Sequence, residues 1–152
     1  MIIINDTALS CPSPMTEENI MSLTADRNTP SLDGELVAIP MKGLTTIYGG
    51  GMVAVSAGGY ALPAADAAGL TTCGVADSYA HNAGADGAED VLVRRKRAFL
   101  FANDATNPCT VAHLFTDVYV VDEATVASDG GINNIVAGKM IGLEDEGVVV
   151  EI

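Results

Sequence analysis

From Glu35 onward the chain alternates short apolar runs with Gly, Asn and Asp. The runs are "ELVAIPMKG", "TTIYGGGMVAVSAGGYALP", "GLTTCGVADSYAHN", "EDVLVRRKRAFLFAN", "DVYVVDEATVAS", "NNIVAGKMIGLED" and "GVVVEI". Each carries β-branched or aromatic residues that suit a pleated surface, and each is bounded by turn formers. About seven or more short strands with turns between them predict an all-β fold, a compact small barrel or sandwich. "SAGGY" and "LEDEGV" predict hairpin turns. "CTVAHLF", Cys109 to Phe115, predicts one helical turn capped by Thr110. "YGGG" at Tyr48–Gly51 and "DGG" at Asp129–Gly131 read as turns, since neither is followed by Lys-Ser/Thr or a helix that would make a phosphate loop.

Residues 1–33 break the strand pattern and read as an extended N-terminal arm, with the β-domain over residues 34–152. The arm is rich in Ser, Thr and Pro and holds one short helical candidate. There Thr16 caps, Glu17 and Glu18 suit the positive end of the first turn, and Ile20 and Leu23 share a face. So few apolar residues do not make a core, so the arm is expected to work by docking, through Ile2, Ile3, Ile4, Ile20 and Leu23. "MIIIND" lacks the basic leader and apolar length of a signal peptide, and no run approaches a membrane span, so the expectation is a soluble, unsecreted chain.

"VLVRRKRAFLFAN", Val91 to Asn103, conflicts with its own alternation. A continuous strand would set Val91, Val93, Arg95, Arg97, Phe99 and Phe101 on one side, with two arginines in the middle of an apolar face. A break or bulge near Arg95 and Lys96 resolves the conflict by ending one strand and starting another, with Arg94, Arg95, Lys96 and Arg97 on a rim turn. These are four of only seven Lys and Arg in the chain, against twenty Asp and Glu. Pairing with carboxylates on a neighbouring subunit or partner surface is the expected use, because Arg offers bidentate geometry there. The alternative is pairing with the chain's own carboxylates, and a nuclear-localisation reading is disfavoured because the run interrupts a strand pattern.

Composition narrows the function. A hydrophobic fraction of 49% with 16 Gly and no Trp describes a globular chain with many turns. The net charge of −13 argues against binding nucleic acid or an anionic membrane surface. Cys11, Cys73 and Cys109 are an odd, widely spaced set with no CxxC, expected as reduced, small apolar residues. Cys73, His81, Cys109 and His113 match no common zinc spacing and no nucleophilic turn, so neither a metal, a cofactor nor catalysis is expected. Asn82, Asp86, Gly87 and Asp90 fall on calcium-loop positions, but Gly84 and Val93 stand where two key ligands belong, so a surface loop is the expectation.

Residues 50–152 resemble the decoration, or structural cement, proteins encoded beside the major capsid protein of tailed phages. The resemblance rests on the order of several features. They are the Gly-Tyr-x-x-Pro-Ala-x-Asp hairpin at Gly59–Asp66, the Gly-Ala-Asp-Gly loop leading into Val-Leu-Val-Arg-Arg, the Phe-x-Phe-Ala-Asn end, and the closing Ala-Gly-x-x-x-Gly with Val-Val-Val-Glu-Ile. Such relatives carry a small turn residue where this chain has Lys96. The resemblance implies a non-enzymatic virion protein on the capsid exterior, present in the host cytoplasm during assembly. It implies a homotrimer bound to the major capsid protein, stabilising the shell against internal pressure. A tail or fibre-associated β-module is the nearest alternative; a small-ligand-binding or enzymatic barrel is a more distant one.

Overall fold

Period-two alternation decides which side chains are sealed: Val91 and Val93 are fully buried, while Asp90 and Leu92 beside them face out. The computed structural model describes residues 24–32 and 34–152. In chain order the described strands are β1 (Leu36–Pro40), β2 (Thr45–Ile47), β3 (Met52–Val55), β4 (Ala61–Pro63), β5 (Thr71–Ala76) and β6 (Ala80–Asn82). They continue with β7 (Asp90–Arg94), β8 (Ala98–Asn103), β9 (Asp117–Asp122), β10 (Thr125–Ala127), β11 (Val136–Glu144) and β12 (Gly147–Glu151). The fold is all-β, as the punctuation predicts. The chain divides into units Met1–Leu32 and Asp33–Ile152, and the described part of the first, residues 24–32, contains no helix or strand. Ile2, Ile3, Ile4, Cys11, Ile20, Leu23 and the Thr16-capped helix lie outside the described residues.

The second unit has two β-systems. One is a five-stranded sheet in the order β1-β7-β5-β3-β4, antiparallel throughout. Its ends curl toward each other, because Met41, just past β1, bridges to Ala61 in β4 and the Lys42 N–H donates to the Ala61 carbonyl. A ribbon of β2 and β6 accompanies it. The other system is a closed barrel, β10-β8-β12-β11-β9, in which the β10–β8 pair is parallel and the rest antiparallel. Closure removes the free edges that a small sheet otherwise exposes.

Two cores follow. Met41, Ile47, Val53, Ala61, Ala76, Val91 and Val93 fill the curled sheet. Phe101, Val118, Val120, Val126, Met140, Val148 and Val150 fill the barrel and pack with Met52, Ala54 and Val75. β3 therefore serves both cores, Val53 on one face and Met52 and Ala54 on the other, which explains why its run is apolar without alternation. Burying a side chain of this size is worth ~1.5–3 kcal/mol relative to leaving it exposed, so the two cores are the main source of stability.

The break in "VLVRRKRAFLFAN" falls where alternation requires it. β7 ends at Arg94 in the sheet and β8 begins at Ala98 in the barrel. Lys96 between them adopts φ 62°, the left-handed conformation that small turn residues fit best. The turn is held by backbone bonds from the Arg95 N–H to the Glu35 carbonyl and from the Lys96 N–H to the Ile152 carbonyl. The change of partner resets the register, so Val91 and Val93 face one core while Phe99 and Phe101 face the other. The helical turn at Cys109–Phe115 is a single 3-10 turn, Val111–His113, capped by Thr110.

Candidate functional site

The basic turn sits where the curled sheet hands the chain to the barrel, and the topology brings two carboxylates to it. Arg94 Nε lies 3.3 Å from Asp77 Oδ1, in the turn after β5, and Arg97 Nη2 donates to Glu35 Oε1 at 3.0 Å, on the lead-in to β1. The Arg94 Nε is buried and too poorly aligned with Asp77 to form a hydrogen bond, so that contact is an ion pair only. With both pairs about half exposed, each is worth ~0–1 kcal/mol. Of the four cations expected to meet a neighbouring surface, Arg94 and Arg97 are paired within the chain. Arg95 and Lys96 are exposed, and among the described residues neither side chain has a hydrogen bond or ion pair.

The soft-ligand candidates are dispersed and locally engaged. Cys73 Sγ donates to the Val53 carbonyl at 3.2 Å beside the sheet core, while Cys109 is buried in the barrel core. Burial pushes the Cys73 thiol up to about 11, against a smaller opposing pull from the Arg95 guanidinium. Burial likewise raises the Cys109 thiol, with Asp104 adding to it. His81 Nδ1 bonds Thr46 Oγ1 at 2.7 Å, and His113 Nδ1 accepts from the Thr110 N–H at 3.0 Å, closing a capping box. Because the helical element is one 3-10 turn, Cys109 precedes it and does not share a face with His113. Among the described residues no group of three His, Cys, Asp or Glu is arranged to hold a metal ion.

The loop with calcium-like spacing is organised by a residue whose role the sequence hides. Asn82 is the one buried polar side chain among the described residues. Its amide donates to the carbonyls of Met41 (3.1 Å), Lys42 (3.3 Å) and Ala85 (2.9 Å), and its Oδ1 accepts from the Gly84 N–H at 2.9 Å. Asp86 Oδ1 accepts from the Gly43 N–H at 2.7 Å. Both side chains spend their polar atoms on pinning the loop to the segment after β1.

A second clamp joins the two β-systems. The Asp66 carboxylate, in the loop after β4, accepts from the backbone N–H groups of Ile132 (3.1 Å) and Asn133 (3.0 Å) in the loop before β11. The Asn133 amide returns a bond to the Asp66 carbonyl at 3.0 Å. The bonds from the Ile132 and Asn133 amides hold the Asp66 carboxyl below its ordinary value. Since the folded value is depressed, the clamp's contribution is present above the unfolded value of about 4 and is lost as pH falls through the folded one. The protection of the Ile132 and Asn133 amides against hydrogen exchange, relative to the intrinsic rate at each pH, is expected to fall on acidification below about pH 4 and to be low at every pH in Asp66→Ala. Unchanged protection in the variant would show that other contacts hold the loop.

Several large apolar side chains point outward instead of into either core. Leu44 is 82% exposed, Phe115 69% and Ile132 89%, each on a loop held by backbone bonds. Leu44 and Phe115 have φ of 56° and 62°, unusual for residues of their bulk. Tyr48 and Tyr79, both exposed, lie with ring centroids 5.7 Å apart beside the β2–β6 ribbon. An open, mainly apolar groove runs between the start of β5 and β11, lined by Leu70, Thr72, Ile135, Val136 and Ile152. No family model, curated protein or solved structure matches this chain.

Proposed function

We propose that this chain is a structural β-module that acts by docking on a protein shell, as a decoration protein of a tailed-phage capsid. The observation that carries the reading is the outward, backbone-fixed placement of Leu44, Phe115 and Ile132 in a domain that already fills two cores. Left-handed conformations at Leu44 and Phe115 cost free energy, and such strain persists where the surrounding structure imposes it and contact function uses it. Apolar anchors already fixed in place lose little entropy on binding, which suits a protein whose work is adhesion. The resemblance of residues 50–152 supplies the identity of the surface, the major capsid protein, and the expectation that copies bind it as trimers. The soft-ligand residues, engaged locally in hydrogen bonds or buried in a core, are consistent with a non-enzymatic role.

Replacing Leu44, Phe115 and Ile132 together by Ser is expected to weaken binding to purified shells at least tenfold, while the melting temperature of the free protein stays within a few degrees. Exposed side chains contribute little to folding, so the two effects separate. Full shell binding by that variant would remove the observation on which the reading rests.

A further inference from the structure

The outer face of the β2–β6 ribbon carries side chains that neither core uses. β2 and β6 pair with Thr46 opposite His81 and Ile47 opposite Ala80. Alternation turns Ile47 and Ala80 toward the sheet core, and Thr46 and His81 outward, where they bond each other at 2.7 Å. One step further along the same register, Tyr48 stands opposite Tyr79 on that outward face. The two rings are 65% and 60% exposed, with centroids 5.7 Å apart and planes inclined at 56°. Neither ring belongs to a core cluster.

Backbone bonds hold this pair in place. The Gly50 N–H donates to the Ala76 carbonyl at 2.9 Å and the Gly51 N–H to the Tyr48 carbonyl at 3.1 Å, so the "YGGG" turn is tied to the chain that leads into Tyr79. Its glycines fit that role: a Cβ on Gly49 would press on Ser78 Cα at 3.1 Å, and Gly50 has φ 84°. A carboxylate stands beside the same turn. The point where a Cβ on Gly51 would sit is 3.2 Å from the Tyr48 carbonyl oxygen and 3.5 Å from Glu123 Cγ, and the Met52 N–H donates to the Glu123 carbonyl at 2.7 Å. Glu123 is exposed, and its carboxylate has no hydrogen bond or ion pair among the described residues.

We propose that Tyr48 and Tyr79, with Glu123 beside them, form a seat for an arginine side chain of a partner protein. A cation is attracted to the face of an aromatic ring when it lies within about 6 Å of the centroid, and two rings 5.7 Å apart let one group meet both. Guanidinium is the fitting cation: it is planar and weakly hydrated, so it stacks on a ring and still offers N–H groups at its edge to a carboxylate. Among the described residues no Lys or Arg lies on either ring, so the chain supplies no cation of its own there. The net charge of −13 favours the approach of a basic partner. Rings already held by a pinned turn lose little freedom when the partner arrives. The seat does not depend on the shell reading, because the free chain carries it.

Amide chemical shifts of the intact protein, titrated with N-acetyl-arginine amide at about 0.15 M salt, test the proposal. Tyrosine emission is a second readout, since the chain has no Trp. Saturable shift changes are expected at Tyr48, Gly49, Gly51, Tyr79 and Glu123. N-acetyl-citrulline amide, which has nearly the same shape without the charge, binds about fivefold or more weakly. Tyr48→Ser with Tyr79→Ser weakens arginine binding by about fivefold or more, and Glu123→Gln by about twofold, while amide shifts remote from the ribbon stay as they are. Equal binding of the citrulline probe, shifts scattered over the acidic surface, or unchanged affinity in the double Tyr variant would overturn the proposal. So would glucose moving these same amides where arginine does not, which would make the ring pair a sugar platform.

Discussion

Asn82→Ala is expected to lower the stability of the β-domain by ~3 kcal/mol, a fall in melting temperature on the order of 10 °C for a chain of this size. The reasoning starts from satisfaction. The Asn82 side chain is fully buried and bonds three carbonyls and one N–H, so nearly all of its hydrogen-bonding capacity is used. Truncation removes all four bonds at once, although the carbonyls of Met41 and Ala85 keep the Gly87 and Ala88 N–H groups. Each lost bond is worth ~0.5–1.5 kcal/mol net, and releasing the loop over residues 83–89 adds to it. Asn82→Asp is expected to be worse, since it keeps the acceptor, loses both donors and buries a charge. Thermal melts of the two variants beside the unmodified protein check this. A loss under 1 kcal/mol for the Ala variant would mean the loop holds itself.

Gly138→Ala is expected to cost at least ~3 kcal/mol, with Gly142→Ala in the same strand costing under ~1 kcal/mol. The contrast isolates steric closeness. A Cβ at Gly138 would run into the carbonyl oxygen of Glu151 and sit 2.9 Å from Val150 Cγ1, and a backbone atom of the adjoining strand has no room to yield. At Gly142 the nearest atom is Val149 Cβ at 3.4 Å, an ordinary contact. Gly138 lies where β11 shifts register against β9 and also approaches β12, so the close approach is part of how the barrel shuts. Denaturant titration of both variants separates the outcomes, and equal stability would show that β11 and β12 separate freely there.

Which parts of this molecule were readable in advance follows from the range of the interactions involved. Turn residues and period-two alternation act locally, so the strands, the Thr110-capped turn and the break at Arg95–Arg97 could be placed from residue order. The break was legible because two inward pairs, Val91 with Val93 and Phe99 with Phe101, cannot share a strand with Arg95 and Arg97 buried between them. Pairing across the fold was not legible. That β10 lies parallel to β8, or that Asp77 and Glu35 out of twenty acidic residues arrive beside Arg94 and Arg97, depends on topology that no local pattern encodes. Asn82 and Asp66 went unread for the same reason. Met41 is 41 residues from Asn82 and Asn133 is 67 from Asp66, and in the sequence both look like ordinary loop residues. The Cys109–His113 spacing misled because it has meaning only on an α-helix, and the element there is one 3-10 turn.

The central claim is that this domain works by adhering to a shell, and co-sedimentation tests it most directly. Purified protein is mixed with emptied tailed-phage capsids, the shells proposed as its partner, and the bound fraction is read across a concentration series. The account predicts saturable binding at a fixed ratio of copies to capsid protein, together with a higher temperature of shell rupture when the sites are filled. Protein that remains in the supernatant at every concentration, with shells rupturing at the same temperature with and without it, would contradict the account.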